Sequence, residues 1–132
     1  MQYLLDTNIC IYFLNRTSER LISQFKNVSP LVIKLSTISV AELFYGAEKS
    51  NAKKKNWAIV ENFVSTFEII PFDEKSSKIY PKIRASLEKS GNPIGPMDLL
   101  IASISLANNF NLVTNNLKEF KRVKGLKVEN WV

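Results

Sequence analysis

The sequence predicts an α/β fold, with a mostly parallel central sheet carrying helices on both of its faces. Two observations lead there: short apolar strand-like runs alternate with helical stretches along the whole chain, and no internal repeat, low-complexity tract or linker divides it. A length of 132 residues suits one domain, read here as residues 1–132, large enough to bury a core without disulfides.

The elements follow in order. Gln2 to Leu5 reads as a short strand, and Asn8 to Leu14 as an apolar helix that Thr7 or Asn8 can cap. Ser18 precedes Leu21, Ile22 and Phe25 at helical spacing, and that helix should stop before Ser29-Pro30. Leu31 to Ile38 is the second strand. Ser39 then starts a helix carrying Val40, Leu43, Phe44 and Ala47, and another follows around Trp57, Val60, Phe63 and Val64. Phe67 to Phe72 is the third strand. Asp73 can cap a long helix through Lys89, interrupted at Pro81 and stopped by Ser90-Gly91-Asn92-Pro93. Gly95-Pro96 begins a helix from Met97 to about Asn108, apolar on nearly every side and therefore expected to be buried. Asn111 to Thr114 is the fourth strand, Asn115 to Phe120 a short helical turn, and Leu126 to Trp131 a final edge strand.

With 45% hydrophobic and 23% charged residues, the composition is that of an ordinary globular protein. No apolar run approaches a membrane span, and Met1-Gln2-Tyr3-Leu4-Leu5-Asp6 shows no secretory signal, so the expected location is cytoplasmic. The lone cysteine, Cys10, excludes an intramolecular disulfide and reads as a small buried hydrophobe. A net charge of +6 is compatible with simple solubility and with attraction to a phosphate backbone. Lys53-Lys54-Lys55 and the set Lys118, Lys121, Arg122, Lys124 and Lys127 are the basic clusters, each either a solvated face or an RNA contact.

Against this basic background, Asp6, Glu42, Asp98 and Glu119 each sit near a change from strand-like to helical sequence, and the chain has no histidine. In a parallel sheet, strand ends and the helix starts that follow them gather along one edge, so distant acids can share a pocket there. Each acid also has a plain structural reading. Glu42 fits the last position of a capping box, Ser39-Val40-Ala41-Glu42. Asp98, in the first turn of a helix, gains about 0.3–1 kcal/mol from the macrodipole. Asp6 ends a strand close to buried backbone, where an unpaired charge is costly. Glu119 lies among lysines, and Asn116 is either a turn residue or an amide that positions a carboxylate or a water. Together the acids would repel unless neutralised. Hard oxygen donors of this kind suit Mg²⁺ or Mn²⁺, which activates water and clamps a phosphate, so phosphodiester hydrolysis is the chemistry indicated.

The chain resembles the PIN-domain nucleases and, within them, the VapC toxins of bacterial toxin–antitoxin modules. The resemblance rests on Leu4-Leu5-Asp6-Thr7-Asn8, on Ala41 to Ser50, on Ile94 to Ala102 and on Val113 to Phe120, in that order. It implies a three-layer α/β/α fold, Mg²⁺-dependent endoribonuclease activity, a homodimer and neutralisation by a VapB-type antitoxin, with operator DNA bound only through that complex. Asp6, Glu42 and Asp98 match the family's core acidic positions. Many PIN domains carry an aspartate where this chain has Asn116 and Glu119, and only Glu119 supplies an equivalent charge. The Thr-Asn-Asn-x-x-Glu-Phe block resembles that of toxins cutting initiator tRNA in the anticodon stem-loop. Three other readings stand beside this one: a PIN nuclease of RNA processing, a non-catalytic basic RNA-binding module whose acids are helix caps, and a haloacid dehalogenase-type phosphatase. The last expects an acid where Asn8 stands.

Overall fold

The computed structural model describes residues 1–132 and contains a five-stranded, wholly parallel sheet. In chain order the elements are β1 (Tyr3–Leu5), α1 (Thr7–Leu14), α2 (Glu19–Asn27), a 3₁₀ turn (Pro30–Val32), β2 (Ile33–Ser36), α3 (Thr37–Glu48), α4 (Lys53–Val64), β3 (Glu68–Ile70), α5 (Glu74–Lys89), α6 (Pro96–Asn108), β4 (Asn111–Val113), α7 (Leu117–Phe120) and β5 (Lys127–Glu129). The strand order is β3-β2-β1-β4-β5, with Tyr3 level with both Ile33 and Asn111.

Successive strand residues point to opposite faces, and the core divides accordingly. Leu5, Ile33, Leu35 and Val113 join Ile9, Cys10, Leu21, Leu43, Ala47, Val60 and Phe63, covering one face with α1 to α4. Leu4, Leu112 and Ile70 join Leu87, Leu99, Ile101, Ile104 and Phe120, covering the other with α5 to α7. These are the three layers. Buried Lys34 on β2 is satisfied by Glu68 at 2.7 Å and the Leu31 carbonyl at 3.0 Å.

Several boundaries differ from the sequence reading. Pro30 enters a 3₁₀ turn capped by Ser29, so the second strand starts at Ile33, and it ends at Ser36, whose hydroxyl accepts from the Ser39 amide to cap α3. Ser39 is therefore inside the helix, and the capping box ending at Glu42 does not form. Asp6, not Thr7 or Asn8, caps α1 through the Ile9 amide. Pro81 does not interrupt α5. It lies on the exposed side of the helix, where water can take the carbonyl freed by its missing N–H, and packing against α6 holds the helix together. The final strand is only Lys127–Glu129. Ser18, Asp73 and Gly95-Pro96 begin their helices as expected, and α6 is buried along most of its length.

Leu112 is fully buried, whereas Leu31 is 82% exposed. Leu112→Ala should cost about 2–5 kcal/mol in denaturant unfolding, and Leu31→Ala should stay within about 0.5 kcal/mol. Equal effects would contradict the assignment of the second core layer.

Candidate active site

β1 and β4 are neighbours whose following helices leave toward opposite faces, α1 to one and α7 to the other. Such a switch point opens a crevice at the carboxyl ends of the strands. Asp6 stands there, directly after β1, and Thr114 directly after β4. The Thr114 hydroxyl donates to Asp6 Oδ2 at 2.5 Å, and the Ile9 amide donates to Oδ1 at 2.9 Å. Thr114 is wholly buried and Asp6 nearly so. Burial raises the Asp6 pKa, those two hydrogen bonds oppose the shift, and the charge of Glu42 reinforces it.

Glu42 comes from the second turn of α3. Thr7 donates to its Oε1 at 2.5 Å, and the Thr7 hydroxyl also lies 3.0 Å from that of Ser39. The residue read as a helix cap thus faces α1 across the crevice. Asp98 projects from the first turn of α6 and is half-buried. Desolvation, then the negative charges of Glu119, Asp6 and Glu42, push its pKa up to about 6.

Asp6, Glu42 and Asp98 line one cleft of about 340 Å³ together with Thr7, Asn8, Ile11, Tyr45, Gly46 and Lys49. Lys49 is its single cation. Glu119 and Asn116 are not among its walls. Glu119 instead accepts from the Gly95 amide at 3.0 Å and from the Asn116 side-chain amide at 2.8 Å, which lowers its pKa. The Asn116 amide N–H donates to the Thr114 hydroxyl at 2.9 Å. This pair therefore ties the segment before Asp98 to the end of β4, with Glu119 close enough to act on Asp98 electrostatically.

No three of the acids already form a closed set of metal ligands. Magnesium does not require one, because it keeps several waters and is commonly held by one or two carboxylates. Carboxylate oxygens, their mutual repulsion and a single lysine against three acids fit a hard divalent ion. Thr114, Thr7 and Ser39 were missed in the sequence as site residues. Their only signal there is position, Thr7 beside Asp6 and Thr114 at the end of an apolar strand. Lys118, Lys121, Arg122 and Lys124 are exposed on and after α7, with Arg122 donating to the Pro93 carbonyl at 3.3 Å. Cys10 is buried and its thiol pKa is pushed well up by desolvation, in keeping with a packing role.

Two apolar grooves lie to one side. A groove of about 460 Å³ runs between α1, α2 and α4, lined in part by Phe13, Ile22, Phe25, Ile59 and Phe67. A second, of about 320 Å³, includes Ile11, Leu14, Ile59 and Val60 and reaches Glu42 and Gly46. The larger groove contains none of the four acids, so its size does not make it the chemical centre.

The raised Asp98 pKa has a consequence for the metal-free protein. Its folded-state value of about 6 lies above the ordinary 3.8, so the stability this group contributes is complete below about 3.8 and is lost as pH rises through about 6. Asp98→Asn removes that loss. The variant should be the more stable protein at pH 7, by on the order of 1 kcal/mol once the half-exposed site is discounted for solvent screening, and the difference should close near pH 4. Denaturant unfolding at both pH values measures it, and a pH-independent difference would contradict the electrostatic account.

Residues 3–126 match the family model described as PIN domain. The chain is 45% identical to ribonuclease VapC2 of Rickettsia felis, covering 99% of this chain and 98% of that one. It is 38% identical to the tRNA(fMet)-specific endonuclease VapC of Salmonella typhimurium, with the same coverage. Among solved structures, it is similar to the DNA-bound VapBC of Salmonella typhimurium, with a TM-score of 0.94 and 37% identity, over 100% of this chain and 99% of that chain. It is also similar to VapBC2 of Rickettsia felis bound to a promoter fragment, with a TM-score of 0.93 and 42% identity over the whole of both chains. A crevice walled by three acids at the switch point of a parallel sheet and relatives matched from end to end lead to one assignment: the chain belongs to the PIN-domain family and, within it, to the VapC ribonucleases.

Proposed function

We propose that the protein is the toxin of a VapBC-type module, a Mg²⁺-dependent endoribonuclease that cuts tRNA, with initiator tRNA in its anticodon stem-loop as the substrate, and so inhibits translation in the cytoplasm. The observation that carries this reading is the convergence of Asp6, Glu42 and Asp98 on one cleft with a single cation on its wall. The tRNA substrate rests on the relative named a tRNA(fMet)-specific endonuclease, and the anticodon stem-loop on the resemblance of the Thr-Asn-Asn-x-x-Glu-Phe block.

Asp6, Asp98 and Glu42 would hold Mg²⁺, with Mn²⁺ able to substitute. Bound there, the ion would lower the pKa of a coordinated water and offset charge on the scissile phosphate. The chain's own residues set the stage. Thr114 and the Ile9 amide orient Asp6, Thr7 orients Glu42, and the Glu119–Asn116 pair fixes the segment that carries Asp98. Without histidine, attack by the ribose 2′-hydroxyl lacks its usual acid and base, so hydrolysis by water is the expected route.

A VapB-type antitoxin would cover the apolar grooves beside α1 and α4, where Ile11 and Ile59 are exposed. Apolar anchors there would supply affinity, and a basic side chain reaching the acidic cleft would displace the metal's charge. In this reading the toxin is a homodimer and meets operator DNA through the antitoxin. The non-catalytic alternative has one observation in its favour, since Asp6 does cap a helix. The same variants distinguish the two.

Purified protein incubated with total RNA should cut it with Mg²⁺ and stop with chelator, leaving 5′-phosphate and 3′-hydroxyl ends. Asp6→Asn, Asp98→Asn and Glu42→Gln should each lower the rate by at least about 100-fold, the cost of removing about 3 kcal/mol of transition-state stabilisation. Glu119→Gln should be milder. Metal-independent cleavage to 2′,3′-cyclic phosphates, or wild-type rates from Asp98→Asn, would contradict the mechanism. Neutralising Lys118, Lys121, Arg122 and Lys124 together should weaken RNA binding and flatten its salt dependence, and an unchanged salt slope would move the RNA to another face.

A further inference from the structure

Four aromatic residues, Tyr12, Phe13, Phe44 and Tyr45, lie on α1 and α3, the helices beside the acidic cleft, and the structure separates them: Tyr12 packs against the core under α1 to α4. Phe13 stacks on Phe25 with ring centroids 4.1 Å apart, and Phe44 packs on Trp57 at 4.5 Å. Both are core or groove residues. Tyr45 is different: it is 65% exposed, and its ring is the single aromatic ring lining the cleft.

Glu42, Tyr45 and Lys49 fall at i, i+3 and i+7 along α3 and its C-cap, so they form one stripe up a wall of the cleft. The acid lies deepest, the ring stands above it, and the Lys49 ammonium is held 5.1 Å from the ring centroid. Beside the ring is Gly46. A glycine inside a helix costs roughly 0.5–1 kcal/mol relative to alanine, and here no neighbour within the chain demands it, because a Cβ at this position would meet nothing within 4 Å. A backbone kept bare next to an exposed ring, on the wall of a cleft, leaves room for close approach by something outside the chain.

We propose that Tyr45 and Lys49 form a nucleotide subsite at the mouth of the cleft, in which the Tyr45 ring stacks on one unpaired base beside the scissile bond and Lys49 contacts an adjacent phosphate. This rests on the ribonuclease reading above and adds a determinant of where the enzyme cuts. An acidic cleft repels a polyanion, so an RNA strand needs a local cation and a charge-independent contact to stay in register. Stacking supplies the second, is tolerant of base identity and requires the base to be free of a helix. The subsite therefore selects loops over continuous duplex.

The test is a double-mutant cycle between protein and RNA. The unaltered protein, Tyr45→Ala and Tyr45→Phe are assayed with Mg²⁺ on the initiator tRNA anticodon stem-loop and on versions carrying a single abasic nucleotide at each loop position. Tyr45→Ala should raise KM by about 5- to 150-fold, the range one base–aromatic stack is worth, with a smaller change in kcat. Tyr45→Phe, which keeps the ring, should remain within about twofold of the unaltered protein. At one or two adjacent loop positions the abasic change should cost the unaltered protein the same factor and cost Tyr45→Ala nothing further. Lys49→Gln should reduce the slope of log(kcat/KM) against log salt by about 0.7, the share of one neutralised phosphate on a single strand. Additive effects at every position, a Tyr45→Phe loss equal to that of Tyr45→Ala, or an unchanged salt slope would overturn the subsite while leaving the ribonuclease intact. A change in oligomeric mass on Tyr45→Ala would overturn it in favour of an interface between copies. Absence of any cleavage by the unaltered protein would overturn the ribonuclease reading and the subsite with it.

Discussion

The hydrogen bond from the Thr114 hydroxyl to the Asp6 carboxylate joins the ends of two adjacent parallel strands at the point where the chain changes direction across the sheet. A carboxylate at that depth is expensive unless its oxygens are occupied. Asp6 gives one oxygen to Thr114 and the other to the amide that begins α1. One side chain therefore fixes the first helix, ties β1 to the loop after β4, and presents negative charge at the floor of the crevice. The neighbouring contacts extend from it. Thr114 also accepts from the Asn116 amide, Asn116 donates to Glu119, and Glu119 accepts from the Gly95 amide just before the helix that carries Asp98. A continuous line of hydrogen bonds thus runs from the end of β1 to the start of α6.

That construction sets two requirements against each other. Stability favours few charges near the sheet edge, whereas the chemistry of a phosphodiester needs several oxygen anions in one place. The raised pKa values of Asp6 and Asp98 are the physical sign of this conflict. Burial is the largest cause for both, so the strain comes from where the fold puts the groups as much as from their neighbours. A divalent cation relieves both causes at once, replacing lost hydration and screening the repulsion. The neighbouring apolar grooves give the same region a second kind of surface, suited to a protein partner and unsuited to a polyanion.

Much of this was legible in the residues, and the parts that were not have definite reasons. The alternation of strand and helix predicts a parallel sheet with two covered faces, and the position of Asp6 after an apolar strand predicts its place at the sheet edge. Glu42 shows the limit. Ser39-Val40-Ala41-Glu42 has the spacing of a capping box, yet the helix begins three residues earlier, because Ser36 is the serine that caps it. A shift of that size turns a cap residue into a cleft residue, and local sequence contains both serines. Pro81 shows a related limit, since propensity assigns a break that tertiary packing and an exposed position override. Thr7 and Thr114 could be recognised only after their partners were known, 35 and 108 residues away in sequence.

Asp6, Asp98 and Glu42 are the residues proposed to hold one divalent cation. The most direct test is a crystal of the protein soaked or grown with Mn²⁺, measured for anomalous scattering at the manganese edge. An anomalous peak is expected within coordination distance of the Asp6 and Asp98 carboxylates, with Glu42 bound directly or through water. A peak bound elsewhere on the protein, with none at this cleft under saturating Mn²⁺ and neutral pH, would contradict it.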